Sequence, residues 1–275
     1  MGSEMCIRDR YMVDSLFSVA DQVVLVSGGS RGIGRAIAAG LAERGAQVVI
    51  TGRNQDTIEK TADELSDTSA TKPVVGLVSD VAQCEGMPDL VADVVERYER
   101  IDTLVNVAGI NKRQAAVKYS EQEYDDILDV NLKGAFFLSQ EVGKQMLRQG
   151  SGSQINIGSL NSHRPLTNIM PYAISKAGID HMTRGLAAEW GPHGIRVNCI
   201  GPGFVLTDLV RKLWENKEMS DWRESHTPQR RIGTPEDMVG TTIFLASDAS
   251  AYLTGQVIYV DGGVSAAQLW PIPAS

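Results

Sequence analysis

The chain has 275 residues, of which 43% are hydrophobic and 22% charged, and its formal net charge is −8. This length and composition suit one large globular domain or two small ones. The acidic balance argues against nucleic acid or an anionic membrane surface as the main partner, and no run approaches the roughly 18 apolar residues of a membrane span.

Short apolar runs rich in β-branched residues alternate with helical patterns along the chain. The predicted strands lie at residues 22–28, 46–52, 73–80, 102–109, 153–159, 195–203 and 255–263. The predicted helices lie at residues 34–45, 54–67, about 88–99, about 121–149 with a break near Asn131, 171–190 and about 234–246. Near-continuous apolar strands that alternate with helices predict an α/β fold, with a seven-stranded parallel sheet and helices on both faces. No Pro- or Ser-rich linker divides the chain, so one doubly wound domain over residues 16–265 is the simplest arrangement.

The cysteines and histidines show neither a disulfide pattern nor a metal-ligand pattern. Cys6, Cys84 and Cys199 form no C-x-x-C pair and are odd in number, which favours a reducing compartment, and we expect a cytoplasmic protein. The histidines have no metal-ligand spacing with one another or with cysteine, so no metal site is predicted. The N-terminal segment is too charged for a signal peptide, and we expect residues 1–15 to be a non-native or disordered tail.

The first predicted strand runs into the glycine-rich segment SGGSRGIG, residues 27–34. Gly28, Gly32 and Gly34 lie at the strand-to-helix turn, where glycine lets backbone N–H groups approach a pyrophosphate at the helix N-terminus. Such a triplet also occurs in ordinary tight turns. Here, however, a strand precedes it, a helix follows it, and a βαβ unit is complete within about 25 residues, so the segment predicts a dinucleotide site.

The end of the second strand indicates which dinucleotide binds. An acidic residue there would bind the adenosine ribose 2′-OH and select NAD, whereas this chain has Gly52 followed by Arg53. Arg31 in the glycine loop adds a second cation, and two guanidinium groups suit a 2′-phosphate through charge-assisted hydrogen bonds. The alternative is that both are solvated surface arginines. We therefore favour NADP(H) over NAD(H) as the cofactor.

The spacing of the glycine loop, G-x-x-x-G-x-G, resembles that of the short-chain dehydrogenase/reductase family, with Ser27 in place of the family's threonine. Tyr172 and Lys176 lie four residues apart in the segment YAISK and so share one helix face. With Ser159 and Asn131 they match the order and separations of the family's catalytic tetrad, and the resemblance covers about residues 20–265. It implies a Rossmann-type domain that interconverts a carbonyl and a secondary alcohol.

The resemblance implies a role for each member of the tetrad. Tyr172 would exchange a proton with the substrate oxygen, although a free tyrosine has a pKa of roughly 10, too high for easy exchange at neutral pH. Lys176 is expected to lower that pKa with its ammonium group and to bind the nicotinamide ribose. Ser159 would hydrogen-bond the substrate oxygen, and Asn131 would hold a water that links the lysine to solvent.

The resemblance also implies a set of cofactor contacts. They are Gly28, Ser30, Arg31, Gly32, Ile33, Gly34, Arg53, Asp80, Val81, Asn106, Ala108, Gly109, Tyr172, Lys176, Pro202, Gly203, Val205 and Thr207. Within this set, Asp80 would bind the adenine edge and Thr207 the nicotinamide carboxamide. The family usually has a second Asn after Asn106, and Val107 stands there instead, so the hydrogen bonds of that Asn must be made otherwise or lost.

Two loops that leave the predicted carboxyl edge of the sheet carry basic residues. Lys112 and Arg113 follow the fourth strand, and His163 and Arg164 follow Ser159. Each alone could be solvated, but together they indicate an anionic or strongly hydroxylated substrate. We predict substrate contacts from Arg113, His163 and Arg164, together with Ser159 and Tyr172.

The same loops resemble the branch of the family that contains gluconate 5-dehydrogenases and related keto-sugar-acid reductases. The leading hypothesis is therefore a small-molecule reaction between a keto sugar acid and its hydroxy acid. A 3-oxoacyl-thioester reductase or a general ketone reductase is the alternative. A non-catalytic NADP-binding sensor is a remote one, because such proteins usually lack the tyrosine or the lysine.

Two further expectations concern the end of the chain and its assembly. Residues 206–231 are polar and helix-like and are predicted to form a mobile lid over the substrate, although Trp214 and Trp222 could equally belong to ordinary surface helices. Residues 266–275 form a C-terminal tail outside the domain. The family commonly forms tetramers, so we expect a homotetramer or a homodimer.

Overall fold

A seven-stranded parallel sheet forms the centre of the protein, which confirms the predicted fold class. The structure is a computed structural model, and it describes residues 15–69, 72–207 and 210–266. The strands are β1 (Val23–Ser27), β2 (Gln47–Gly52), β3 (Val75–Val78), β4 (Thr103–Asn106), β5 (Gly152–Ile157), β6 (Ile195–Pro202) and β7 (Val257–Val260). The α-helices are α1 (Gly32–Ala42), α2 (Gln55–Thr68), α3 (Met87–Tyr98), α4 (Glu121–Leu128), α5 (Gly134–Gln149), α6 (Met170–Trp190), α7 (Arg211–Trp214), α8 (Lys217–His226) and α9 (Val239–Ala246). The two predicted tails, residues 1–15 and 266–275, lie almost entirely outside the described residues.

The order of the strands creates a crevice at one edge of the sheet. The strands lie in the order β3-β2-β1-β4-β5-β6-β7, so the chain first builds outward from β1 and then crosses to its other side. β1 pairs with both neighbours, and Val26 lies opposite Ile50 of β2 and Val105 of β4. The loops after β1 and β4 leave in opposite directions at this switch point, which is where ligands bind in such sheets.

Two apolar layers cover the two faces of the sheet, because successive side chains of a strand point to opposite sides. Val24 and Val26 pack into a core with α1, α2 and α9. Val23 and Leu25 pack into a second core with α3 and α5. These four side chains are all buried, and burying one such side chain stabilises the fold by about 1.5–3 kcal/mol. The two layers hold the carboxyl edge of the sheet in place.

The long helix predicted over residues 121–149 is interrupted near Asn131, as predicted. α4 begins at a capping box, in which Ser120 accepts from the backbone of Glu123 and the Glu123 side chain accepts from the backbone of Ser120. The chain then makes a turn of π-helix, Asp129–Lys133, before α5 begins. A π-helical turn often marks a functional position within a helix.

β4 ends at Asn106, three residues before the predicted end of that strand. The backbone N–H groups of Val107 and Ala108 both donate to the carbonyl oxygen of Ser27, each at 3.0 Å. The chain therefore turns against β1 instead of continuing the ladder, and this turn brings Ala108 and Gly109 into the crevice.

The surface of α5 carries two phenylalanine rings that are partly exposed. Phe136 and Phe137 keep 38% and 36% of their surface in contact with solvent. β7, at the edge of the sheet, is also only partly buried. Within the three described ranges, no helix is both long enough and apolar enough to span a bilayer.

Candidate active site

A cleft of about 1130 Å³ opens at the carboxyl ends of the strands. Most of the predicted site residues line it: Gly28, Ser30, Arg31, Gly32, Ile33, Arg53, Asp80, Val81, Ala108, Gly109, Arg113, Ser159, Tyr172, Lys176, Pro202, Gly203, Val205 and Thr207. Five predicted residues do not line it: Gly34, Asn106, Asn131, His163 and Arg164. Asn106 instead turns below the site, where its amide donates to Ser139 and Asn156, each at 2.9 Å.

The glycine loop packs directly against the turn that follows β4. Gly28 has a φ of +81°, and a Cβ atom there would lie 2.8 Å from Cα of Ala108. Only glycine suits this conformation and this approach. α1 begins four residues later, and Arg31 at its N-cap makes no side-chain hydrogen bond to the helix. The first N–H groups of α1 are therefore available to an anion such as a pyrophosphate.

Two arginines at this end of the cleft carry positive charge without a partner. The side chains of Arg31 and Arg53 are exposed and line the cleft. Neither makes a hydrogen bond or an ion pair with another residue in the described part of the chain. Arg35, one turn along α1, is by contrast paired with Glu64 at 3.2 Å. Both guanidinium groups are therefore available for charge-assisted hydrogen bonds to an anionic group in the cleft, and Gly52 places no carboxylate beside them.

Lys176 lies buried at the base of the cleft, on the same helix as Tyr172. Its side chain is 4% exposed, and its Nζ donates to the carbonyl oxygen of Ile157 at 2.7 Å. The same atom lies 5.8 Å from the centre of the Tyr172 ring. Burial lowers the pKa of Lys176 to about 8, because the interior disfavours an ammonium ion.

Ser159 follows β5 and is oriented by a residue that the sequence reasoning did not identify. The backbone N–H and the side-chain Nδ2 of Asn161 both donate to the Ser159 hydroxyl oxygen, each at 3.1 Å. A hydroxyl group has two acceptor positions and one hydrogen. With both acceptor positions occupied, the hydrogen of Ser159 is left to donate elsewhere. The spacing Ser-x-Asn is a common local turn pattern and is the one signal in the sequence for this contact.

Burial is the main influence on the ionisation of Tyr172. It raises the pKa of Tyr172, and the Ser159 hydroxyl and the positive charge of Arg113 oppose this in part. Nζ of Lys176, 5.8 Å from the centre of the ring, donates to Ile157. The expected lowering of the Tyr172 pKa by Lys176 stays a prediction.

Asn131 does not line the cleft but hydrogen-bonds to Ile110, which does. Its Oδ1 accepts from the N–H of Ile110 at 2.8 Å, and its Nδ2 donates to the carbonyl of Ile110 at 2.9 Å and to Ser175 at 3.0 Å. A Cβ atom on Gly109 would lie 3.4 Å from this Oδ1 and 3.7 Å from Nζ of Lys176. Asn131 thus holds the loop that passes beside the lysine. Its predicted role in holding a water stays a prediction.

The four basic residues predicted near the substrate take different positions in the structure, and not all of them line the cleft. Arg113 lines the cleft, whereas Lys112 forms an ion pair with Glu123 and helps to lower the pKa of that carboxyl to about 2. Arg164 donates to the carbonyl oxygen of Val264 at 2.9 Å. His163 faces a second cavity of about 760 Å³. Of these four residues, Arg113 is the one positioned to meet a ligand in the cleft.

Aromatic side chains enclose the far end of the cleft, where the lid is predicted. The ring of Phe204 lies edge-on to Trp214 and to Trp222, with centroid distances of 5.4 Å and 5.7 Å. Trp214 belongs to α7 and Trp222 to α8, and all three rings line the cleft. Residues 208 and 209 of the predicted lid lie outside the described residues. Movement of this segment as a lid stays a prediction.

Among the residues that the structure describes, no group of three or more His, Cys, Asp and Glu side chains is arranged to hold a metal ion.

Comparisons with known proteins identify the family and the fold of this chain. A family model described as Enoyl-(Acyl carrier protein) reductase matches residues 28–265. The chain is 36% identical over 250 residues to gluconate 5-dehydrogenase of Gluconobacter oxydans (strain 621H), covering 91% of this chain and 97% of that protein. It is 38% identical over 247 residues to a 3-oxoacyl-(acyl-carrier-protein) reductase of Chlamydia muridarum (strain MoPn / Nigg), covering 90% and 98%. A solved gluconate 5-dehydrogenase from Burkholderia cenocepacia J2315, in complex with NADP and tartrate, is 35% identical with a TM-score of 0.85, covering 92% of this chain and 98% of that one.

Proposed function

Because this chain belongs to the short-chain dehydrogenase/reductase family of oxidoreductases, we propose that it interconverts a keto sugar acid and its hydroxy acid with NADP(H). The observation that carries the proposal is the place of Arg113, a cation in the cleft whose charge acts on Tyr172. A carboxylate held by this guanidinium would bring the keto oxygen of the same molecule towards the phenol.

The choice of NADP(H) rests on the other end of the cleft. Arg31 and Arg53 are unpaired among the described residues, and both line the cleft. The similar protein from Burkholderia cenocepacia was solved with NADP, which supports the same cofactor here. When bound, the nicotinamide supplies the hydride for reduction or accepts it in oxidation.

The residues of this chain would handle the substrate oxygen and its proton. The hydroxyl of Ser159 would donate its hydrogen to the carbonyl oxygen when substrate is bound and stabilise the negative charge that develops there. Tyr172 would give its proton to that oxygen, and its raised pKa keeps the phenol protonated at neutral pH. Lys176, held at Ile157 by one N–H, keeps two N–H groups for the ribose of the cofactor.

A panel of carbonyl substrates with NADPH oxidation as the readout tests the proposal. We expect keto sugar acids to give a kcat/KM at least about 10-fold above that of neutral ketones, because one charge-assisted hydrogen bond contributes about 1.5–3 kcal/mol. A preference for 3-oxoacyl thioesters would overturn the proposal in favour of a 3-oxoacyl-thioester reductase. The similarity to the Chlamydia muridarum reductase supports that alternative. NADPH binding without turnover of any carbonyl would instead indicate a sensor.

We also propose that the protein assembles as a homotetramer. The exposed phenylalanines of α5 and the partly buried edge strand β7 offer two separate apolar surfaces, which is what an assembly with two kinds of interface needs. Light scattering should give a mass four times that of the chain. A monomer at micromolar concentration would contradict the proposal.

A further inference from the structure

A buried carboxylate lies behind Lys176, and the proposed reaction leaves it without a role. Asp180 follows Lys176 by one turn of α6, so the two side chains share a helix face. It is 6% exposed, and its Oδ1 accepts a hydrogen bond from the thiol of Cys199 on β6 at 3.5 Å. We find no other hydrogen bond to this side chain within the described ranges. A carboxylate is almost never buried to this degree unless a positive charge compensates it.

A glycine directly after β5, Gly158, lets the carboxylate of Asp180 lie close to the backbone beside the site. Gly158 stands between Ile157, which accepts from Lys176, and Ser159. A Cβ atom on Gly158 would lie 2.7 Å from Sγ of Cys199 and 2.9 Å from Oδ1 of Asp180. Any side chain at this position would therefore collide with the thiol–carboxylate pair. The pair thus packs directly on the strand end that carries the contacts of Lys176 and Ser159.

We propose that Asp180 is a positioning residue, whose buried negative charge keeps Lys176 protonated and directed at Ile157 and the cofactor ribose. This inference rests on the proposed function, because it assigns Asp180 a task in the same reaction. Asp180 itself contacts neither the cleft nor the reacting atoms, and it acts through Lys176.

The charges around the lysine support this assignment. Burial lowers the pKa of Lys176, and Cys199 and Asp180 oppose that effect. Burial, with Asp180 next, raises the pKa of the Cys199 thiol well above its ordinary value, so this thiol is neutral wherever Lys176 titrates. The carboxylate of Asp180 is therefore the group that can offset the positive charge of Lys176.

The other ionisable groups named around Lys176 and Asp180 do not supply a negative charge in place of Asp180. Tyr172 on α6 and Tyr259 on β7 both have raised pKa values, mainly through burial, and stay neutral. Arg113 beside Tyr172 and Arg184 on the exposed side of α6 are cations, which disfavour a neighbouring ammonium. Removing the Asp180 charge should therefore lower the pKa of Lys176 further.

A pH-dependent stability follows, and it can be measured without cofactor. The pKa of Lys176 is about 8 in the folded protein, below the 10.5 of an ordinary lysine. Between these two values the unfolded chain binds more protons, so the stability of the folded protein rises with pH. In Asp180→Asn this rise should begin at a lower pH. The variant should consequently lose more stability at pH 7 than at pH 9, where Lys176 is largely neutral in both proteins.

The experiment compares Asp180→Asn with wild type by urea unfolding of the cofactor-free protein at pH 7 and pH 9. Asparagine keeps the shape of the side chain and an acceptor for the Cys199 thiol. Cys199→Ala is the control, because it removes the hydrogen bond from the thiol to Asp180 and keeps the negative charge of Asp180. We expect a larger loss of stability at pH 7 for Asp180→Asn, and an equal loss at both pH values for Cys199→Ala.

The pH profile of carbonyl reduction gives the second readout. The alkaline limb of kcat/KM should move to lower pH by about 1 unit in Asp180→Asn and stay in place in Cys199→Ala. The inference would be overturned if Asp180→Asn lost the same stability at pH 7 and pH 9 and if the alkaline limb of its kcat/KM profile stayed in place. If wild type reduces no carbonyl, the proposed function fails, and the unfolding data still decide the role of Asp180.

The inference can also be tested if Asp180→Asn does not fold. If Asp180→Asn fails to fold because an uncompensated ammonium is buried, then Asp180→Asn with Lys176→Met, which removes that ammonium, should fold again. A double variant that stays unfolded would show that Asp180 is needed for packing and not for the charge of Lys176.

Discussion

The two ends of the cleft are built in different ways. The cofactor end is formed by backbone at the carboxyl ends of β1, β2 and β4, and Ser27 ties two of these strands together through two hydrogen bonds to one carbonyl oxygen. The substrate end is formed by side chains from a loop after β4, a turn after β5 and the short helices α7 and α8. The first end follows from the sheet itself. The second depends on which way individual side chains turn, and there relatives with the same fold can differ in substrate.

The largest expected effect lies where the two ends meet. Tyr172→Phe should lower kcat by about 10³-fold, since general acid–base catalysis contributes about 10²–10⁴-fold, and should leave the Kd of NADPH unchanged. Stopped-flow reduction and NADPH fluorescence titration measure the two quantities separately. Tyr252→Phe, at a fully exposed position, is the matched control. A Tyr172→Phe enzyme with more than a tenth of wild-type turnover would disprove the assignment.

A smaller effect should be confined to the substrate end. Arg113→Ala should lower kcat/KM for a keto sugar acid by about 10- to 100-fold, because one charge-assisted interaction is lost. It should change the value for a small neutral ketone by less than about 3-fold. Lys112→Ala is the control, since that neighbouring cation is already paired with Glu123. Equal losses on both substrates would mean that Arg113 acts on Tyr172 alone and does not select the substrate.

The smallest effect should be confined to the cofactor end. Arg53→Gln should lower kcat/KM with NADPH by about 10-fold and leave the value with NADH almost unchanged, because a single contact to the 2′-phosphate is removed while Arg31 remains. Arg35→Gln, whose partner is Glu64, should change neither value. Wild-type protein that prefers NADH would refute the cofactor assignment altogether.

The same contrast explains what could be predicted from the sequence. The five inner strands were identifiable because both of their faces are buried, and the glycine loop because close backbone contact restricts its residue types. The spacing of Tyr172 and Lys176 places them on one helix face, and the match to the family's tetrad assigns them to the site. The cofactor end therefore follows from periodicity and from positions where few residue types are possible.

The direction of loop side chains could not be predicted in this way. His163 and Arg164 follow Ser159 closely in sequence, but a short helical turn, Leu160–Ser162, directs them away from the cleft. The hydrogen bonds that Asn161 donates to Ser159 depend on the same turn. The direction of Arg164 is set by a contact across the fold, with Val264, which neither charge nor spacing along the chain reports. The Asn161 contact is local, and the Ser-x-Asn spacing is a weak signal for it.

The π-helical turn at Asp129–Lys133 has a consequence for the length of the chain. Each residue of an α-helix advances the side-chain direction by about 100°, and a π turn accommodates one residue more than an α turn. The surplus residue lets Asn131 face Ile110 while Leu138 and Val142, further along, still face the core. Deleting one residue from this turn would keep every amino-acid type of the site and yet rotate Asn131 out of register with it. The site thus depends on the number of residues in this turn as well as on their types. In this segment we expect an insertion or deletion to disturb the position of Asn131 more than a substitution at a neighbouring residue does.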